Sequence, residues 1–116
     1  MTDQEIAQNY AKMLEDAIRQ NKPEADFSWK RMFGGAGYYV DEQIFAAWFG
    51  TDTLALKLSA EAADELKQLG GLAVHETKSN QYIYMPAAIQ NDEDKLAVWV
   101  AKSVSHVGSL PRKKKK

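Results

Sequence analysis

Arg31-Met32-Phe33-Gly34-Gly35-Ala36-Gly37 lies after one extended-looking segment and runs directly into another, Tyr38-Tyr39-Val40. Glycine loses more conformational freedom on folding than any other residue. A cluster like this predicts backbone that needs positive φ, or that approaches another part of the chain closely. The stretch is therefore either a tight structural turn or a surface the protein uses. It is not a phosphate loop, because Gly35 is not followed by Lys and then Ser or Thr. Nor is it a dinucleotide fingerprint, because the Gly34-Gly35-x-Gly37 spacing is wrong and a strand follows where a helix is required.

Working outward, residues 29–33 and 38–40 are predicted strands, and Asp41-Glu42 is a two-residue hairpin turn. Residues 43–49 are rich in aromatic and apolar side chains. Gly50-Thr51-Asp52 turns the chain again. Residues 53–58 alternate, with Leu54, Leu56 and Leu58 on one face, as a half-buried strand does. Before this block, residues 2–21 carry Ile6, Tyr10, Leu14 and Ile18 at helical spacing. Thr2 and Glu5 form a capping-box pattern at the start, and Pro23 stops the helix. After the block, Ser59 caps a second helix and Gly70 ends it. Residues 72–76 and 81–85 form a second hairpin around Lys78-Ser79-Asn80. Asn91 or Asp92 caps a last helix over residues 92–107, and Gly108 ends it. The order is α-β(3)-α-β(2)-α. The fold class is α+β, a mostly antiparallel twisted sheet packed by helices.

At 116 residues the chain is expected to form a single domain over residues 1–110 with a basic disordered tail at residues 111–116. There is no cysteine, so disulfides and thiolate chemistry are excluded. The N-terminus is acidic and polar, unlike a signal peptide, and no apolar run is long enough to span a membrane. A cytoplasmic protein is expected. The net charge of −1 hides an asymmetry. Outside Arg112, Lys113, Lys114, Lys115 and Lys116, ten Lys and Arg face sixteen Asp and Glu. A body this acidic is a poor match for nucleic-acid phosphates, so affinity for DNA would come from the tail. Five phosphate contacts give a salt slope of about −4.5, which is weak and nonspecific binding. The tail can equally bind an anionic membrane surface or act as a solubilising or appended end.

These pieces resemble the TfoX N-terminal domain family. The resemblance is carried by the glycine motif at 31–37, Tyr38-Tyr39-Val40, Asp41-Glu42-Gln43-Ile44-Phe45-Ala46 and Leu54-Ala55-Leu56-Lys57. Tyr84-Met85-Pro86, the acidic residues 91–94 and the Leu96 to Trp99 helix extend it over most of residues 27–107. Where the family has glycine in its first hairpin turn, this chain has Glu42. The resemblance implies a secretion-chaperone-like α-β(3)-α-β(2)-α arrangement. It also implies a role as a co-regulator in control of competence genes rather than as an enzyme. Full-length regulators of this type carry a second, C-terminal domain, and this chain is expected to be a stand-alone N-terminal-type domain.

The candidate contact site is Arg31, Met32, Phe33, Gly34, Gly35 and Gly37, acting on protein partners or at a homodimer surface, with no cofactor. Arg31 is either a fork for a phosphate or carboxylate or a partner for Asp26 or Asp41. His75 and His106, the only histidines, lie on different elements without metal-ligand spacing and are expected at the surface or an edge. Ser79, His75 and Glu76 are neighbours in sequence, but side chains next to each other on a strand point apart, so they are no triad. Aromatic residues recur through the strands: Trp29, Phe33, Tyr38, Tyr39, Phe45, Trp48, Phe49, Tyr82 and Tyr84, with Trp99 in the last helix. With Arg31 and Lys57 an exposed aromatic face could stack bases. The alternative is a core plus an edge or dimer surface.

Overall fold

The computed structural model describes residues 2–32, 34–50, 53–74 and 82–109. Helix α1 spans Asp3–Asn21. Thr2 and Glu5 close the capping box in both directions: the Thr2 side chain accepts from Glu5 N, and Thr2 N donates to the Glu5 carboxylate. The backbone bond from Thr2 holds the Glu5 carboxyl below its ordinary range. Ala7, Ala11, Leu14, Ala17 and Ile18 form its buried face.

Four strands follow: β1 (Phe27–Met32), β2 (Gly35–Val40), β3 (Gln43–Trp48) and β4 (Leu54–Lys57). Helix α2 (Ala60–Gln68), strands β5 (Leu72–Ala73) and β6 (Tyr82–Tyr84), and helices α3 (Ala87–Gln90) and α4 (Glu93–Ser109) complete the order. The α+β class stands, with two differences in detail. The extended segments at 29–33, 38–40, 43–49 and 53–58 all pair, so the first meander holds four strands where the α-β(3)-α-β(2)-α order counts three. A single turn of helix, α3, also precedes the last helix.

All six strands are antiparallel, in the order β1-β2-β3-β4-β6-β5. The second hairpin inserts with β6 against β4, so β5 becomes an edge. Residues opposite one another in an antiparallel pair share a face. The register therefore places Trp29, Tyr38, Ala46, Leu56 and Ile83 in one cross-strand row. The helices cover this face. Tyr38 donates its hydroxyl to Ala7 O of α1 at 3.0 Å, and Tyr10 meets the Trp48 ring. Leu66 of α2 packs beside Ile83 near Gly71. Asn21 Nδ2 ties α1 to α4 through Ala97 O at 3.2 Å.

One irregularity breaks the alternation. Tyr38 pairs with Ala46 but Tyr39 pairs with Ile44, so Phe45 is an extra residue, a β-bulge. The bulge lets Phe45 join Ala46 in the core, where Phe45 is fully buried and meets the Phe27 ring edge-on. Ser103 of α4, itself fully buried, shares its hydroxyl proton between Phe45 O at 2.8 Å and Lys57 O at 2.7 Å.

The helix ends follow local chemistry. Ser59 caps α2 through Ala62 N. Gly70, at φ +109°, follows its last turn, with Gly71 N donating to Leu66 O and Gly70 N to Lys67 O. That pair of bonds is the Schellman arrangement. Asp92 caps α4 through Asp94 N and Lys95 N. Gly108 does not end α4, which continues to Ser109. A single glycine is tolerated in a last turn at a cost of about 1 kcal/mol.

Asp41 and Glu42 form the expected two-residue turn between β2 and β3, with φ of 49° and 70°. Positive φ at both positions marks a type I′ hairpin turn. Asp41 is held there by Asp26, whose N–H donates to Oδ1 while the Asp41 N–H donates to Asp26 O. Lys22 Nζ adds a 3.5 Å ion pair. Among the described residues the Glu42 side chain has no hydrogen bond or ion pair. Glu42→Gly should therefore relieve left-handed strain, for a net gain of about 0.5–1 kcal/mol after glycine's entropy loss. Thermal unfolding should shift upward by a few degrees. An unchanged or lower midpoint would show that the turn is not strained.

Candidate functional site

The glycine motif occupies the β1–β2 connection, and each glycine has its own reason. Gly34 is at φ +67° with open space around its Cα. Gly35 is at a point of close approach: a Cβ there would sit 1.8 Å from Trp48 O on β3. Gly50, at φ +80°, in turn leaves 2.7 Å between an added Cβ and Gly34 O, so the β1–β2 and β3–β4 turns pack backbone to backbone. Gly37 is different, because its Cβ would meet only the side-chain ends of Met32, Ile44 and Tyr39.

Arg31 lies on the helix-covered face, in register with Ala36. Its Nε donates to Gly35 O at 3.0 Å and its Nη1 to Gln4 Oε1 of α1 at 3.2 Å. The expected pairing with Asp26 or Asp41 is replaced by these bonds, since those two acids are engaged with each other at the far end of β1. Arg31 therefore closes the glycine turn and fastens it to the first turn of α1. It also opposes the upward shift that burial, reinforced by Tyr10, imposes on the Tyr38 phenol. Phe33 lies outside the described residues, as do His75, Glu76, Ser79 and the tail residues Arg112, Lys113, Lys114, Lys115 and Lys116.

Met32 points the other way, onto the face that none of the described helices covers. The register places Lys30, Gly37, Ala47, Ala55, Tyr84 and Leu72 in one row across that face. Its middle members are small. Ala47 and Ala55 are 2% and 0% exposed despite the lack of a helix above them. Over this floor lie Met32, Tyr39, Ile44, Phe49 and Tyr82, all but Met32 half-buried. Phe49 meets both Tyr82 and Tyr84 edge-on, at 87° and 90°. Lys30 Nζ sits 5.5 Å from the Tyr39 ring centre. Burial, reinforced by Tyr39, raises the Tyr82 phenol and keeps it a hydrogen-bond donor. Met32 at 37% and Leu72 at 67% exposed bring large apolar side chains to solvent.

Aromatic side chains thus occupy both faces of the sheet. Trp29, Tyr38, Phe45 and Trp48 belong to the helix-covered core, as does Trp99. Tyr39, Phe49, Tyr82 and Tyr84 belong to the open face. The register separates Arg31 from Lys57, the pair that base stacking would use: Lys57 pairs with Tyr82 on the open face, at the end of β4 where it also acts on His106 of α4, and Arg31 lies on the helix-covered face. On the open face Lys30 takes the place of Arg31. Its position one residue from Arg31 and opposite Gly37 is the signal that would have found it.

No strand carries a carboxylate among the described residues, and the strand cations are Lys30, Arg31 and Lys57. His106, expected at the surface or an edge, is half-buried in the last turns of α4. Its Nε2 is buried without a partner among the described residues, and burial and Lys57 lower its pKa. Among the described residues no three His, Asp or Glu side chains gather as a metal site would need.

Two substitutions separate backbone need from surface use. Gly35→Ala should cost about 3 kcal/mol, the upper end of overpacking penalties, because the clash is with backbone. Gly37→Ala should cost less than about 1 kcal/mol, because the Met32 end can swing away. Urea melts of both variants check this, and equal losses would show that the side-chain roof over Gly37 is as rigid as the Trp48 backbone.

The family model of the TfoX N-terminal domain matches residues 19–107. No curated protein matches the chain. The matched span holds the whole sheet, the 31–37 turn with its glycines, and the segments that build the open face. The chain belongs to the TfoX N-terminal domain family.

Proposed function

We propose that this chain is a non-catalytic interaction domain that acts in the cytoplasm through protein–protein contacts made by the open sheet face. The observation that carries this reading is the contrast between the two faces. One is sealed by helices. The other presents Met32, Leu72 and a layer of half-buried tyrosines and phenylalanine, with lysines and, among the described residues, no carboxylate. Interface cores favour aromatic residues and methionine and are poor in acidic residues. The family's association with co-regulation of competence genes supports a binding role in transcription control. In this reading the 31–37 motif supplies Met32 to the surface and Gly37 to its floor, while Arg31, Gly34 and Gly35 hold the turn.

A photo-cross-linking residue placed at Met32 or Leu72, in cells of the native host, should give protease-sensitive adducts larger than the chain. The same residue at Val98, exposed on α4, should give none. Adducts from Val98 alone would move the contact to the helices and overturn the reading.

The charge asymmetry favours a second reading, a DNA-associated accessory protein using Arg112, Lys113, Lys114, Lys115 and Lys116. In a salt-titrated DNA-binding assay the full chain should then bind and residues 1–110 should not. Equal binding by both would remove the tail from consideration.

A further inference from the structure

The charge of the open face narrows the partner. The body of the chain is acidic, yet among the described residues its carboxylates sit on helices, caps, the 24–26 segment and the 41–42 turn, and none on a strand. Among the described residues, the charged groups that the register places on the open face are Lys30 on β1 and Lys57 on β4. They are separated by β2 and β3, about 14 Å across three strand spacings. Between them lies the apolar layer over Gly37, Ala47 and Ala55.

Three kinds of partner could meet a cationic, aromatic surface, and the side-chain geometry chooses among them. Base stacking needs open ring faces. Here Lys30 lies over the Tyr39 ring, and Phe49 packs edge-on with both Tyr82 and Tyr84. Two lysines also give a single strand a salt slope of only about −1.4, too little to hold a nucleic acid without stacking. A second copy seated face to face would set Lys30 and Lys57 against the same lysines. An acidic polypeptide suffers neither problem. Its carboxylates reach the lysines and the tyrosine hydroxyls, and its apolar side chains rest on Met32, Ile44 and Phe49.

We infer that the open sheet face receives an acidic protein segment whose apolar side chains lie over the Gly37-Ala47-Ala55 floor and whose carboxylates pair with Lys30 and Lys57. This rests on the protein-contact reading above and gives that contact its chemistry.

The test uses the full chain, labelled with nitrogen-15, and four probes. These are a short peptide with Leu and Trp anchors between Glu and Asp residues, its counterpart with Lys at the acidic positions, oligo-dT, and increasing concentrations of the chain alone. The acidic peptide should shift the amides of Lys30, Gly37, Ala47, Ala55 and Lys57. The lysine peptide should bind at least about ten-fold more weakly. In the double variant Lys30→Glu, Lys57→Glu the preference should invert, and Lys30→Gln, Lys57→Gln should abolish it without reversing charge. Equal binding of both peptides, shifts confined to the helices, binding of oligo-dT alone, or self-association mapped to this face would each overturn the inference. Cross-links at Met32 or Leu72 with no acidic preference would leave the protein-contact reading standing and remove only the charge assignment.

Discussion

One extra residue in β3 decides what each layer of this molecule contains. Phe45 interrupts the pairing between β2 and β3, and on either side of it the alternation changes phase. Without the bulge, a strand that sends Ile44 outward would have to send Ala46 outward too. With it, Phe45 and Ala46 both enter the core while Ile44 stays on the open face. An extra residue leaves backbone polar groups out of the ladder, and burying them unpaired would be costly. Ser103 resolves this from the opposite layer by sharing one proton between Phe45 O and Lys57 O. The same bond fixes the position of α4 over β3 and β4, so helix packing and strand register depend on one buried hydroxyl.

The two ends of the sheet are fixed by other means. At one end the β1–β2 and β3–β4 turns pack so closely that Gly35 and Gly50 have no room for a Cβ. Arg31 closes over this point and reaches Gln4, so the first turn of α1 is tied to the same corner. At the other end Asp41 clamps onto Asp26, with Lys22 beside it, and this joins the β2–β3 turn to the segment after α1. The sheet between these two anchors is held in a single register. That allows small residues in its middle row to be covered by side chains rather than by a helix.

Much of this was legible in the sequence because it depends on local chemistry. Thr2 with Glu5, Ser59, Gly70 and Asp92 mark helix ends through bonds within a few residues. Asp41-Glu42 marks its turn by position between two apolar runs, and the Leu54-Leu56-Leu58 alternation gives its inward face. The glycine run announced a positive φ or a close approach, and Gly34 and Gly35 take one each. The rest depends on contacts between residues far apart in sequence. Nothing near Phe45 says that it is the extra residue, since its compensating donor is 58 positions away. Arg31 looked matched to nearby acids, but the register carries it to the helix layer, where a carbonyl and an amide oxygen wait. The importance of Lys30 appears only once Gly37 and Tyr39 are known to be its neighbours.

Strand β1 also forms one border of the sheet, six residues long, against two described residues for β5 at the other border. A border of that length offers a row of unsatisfied backbone groups to any extended chain, including another copy. An antiparallel self-pairing centred on β1 would bring two Lys30-Arg31 pairs to adjacent-strand distance. Their repulsion discourages sheet-to-sheet growth into aggregates. The cations near the middle of β1 therefore also keep the sheet finite.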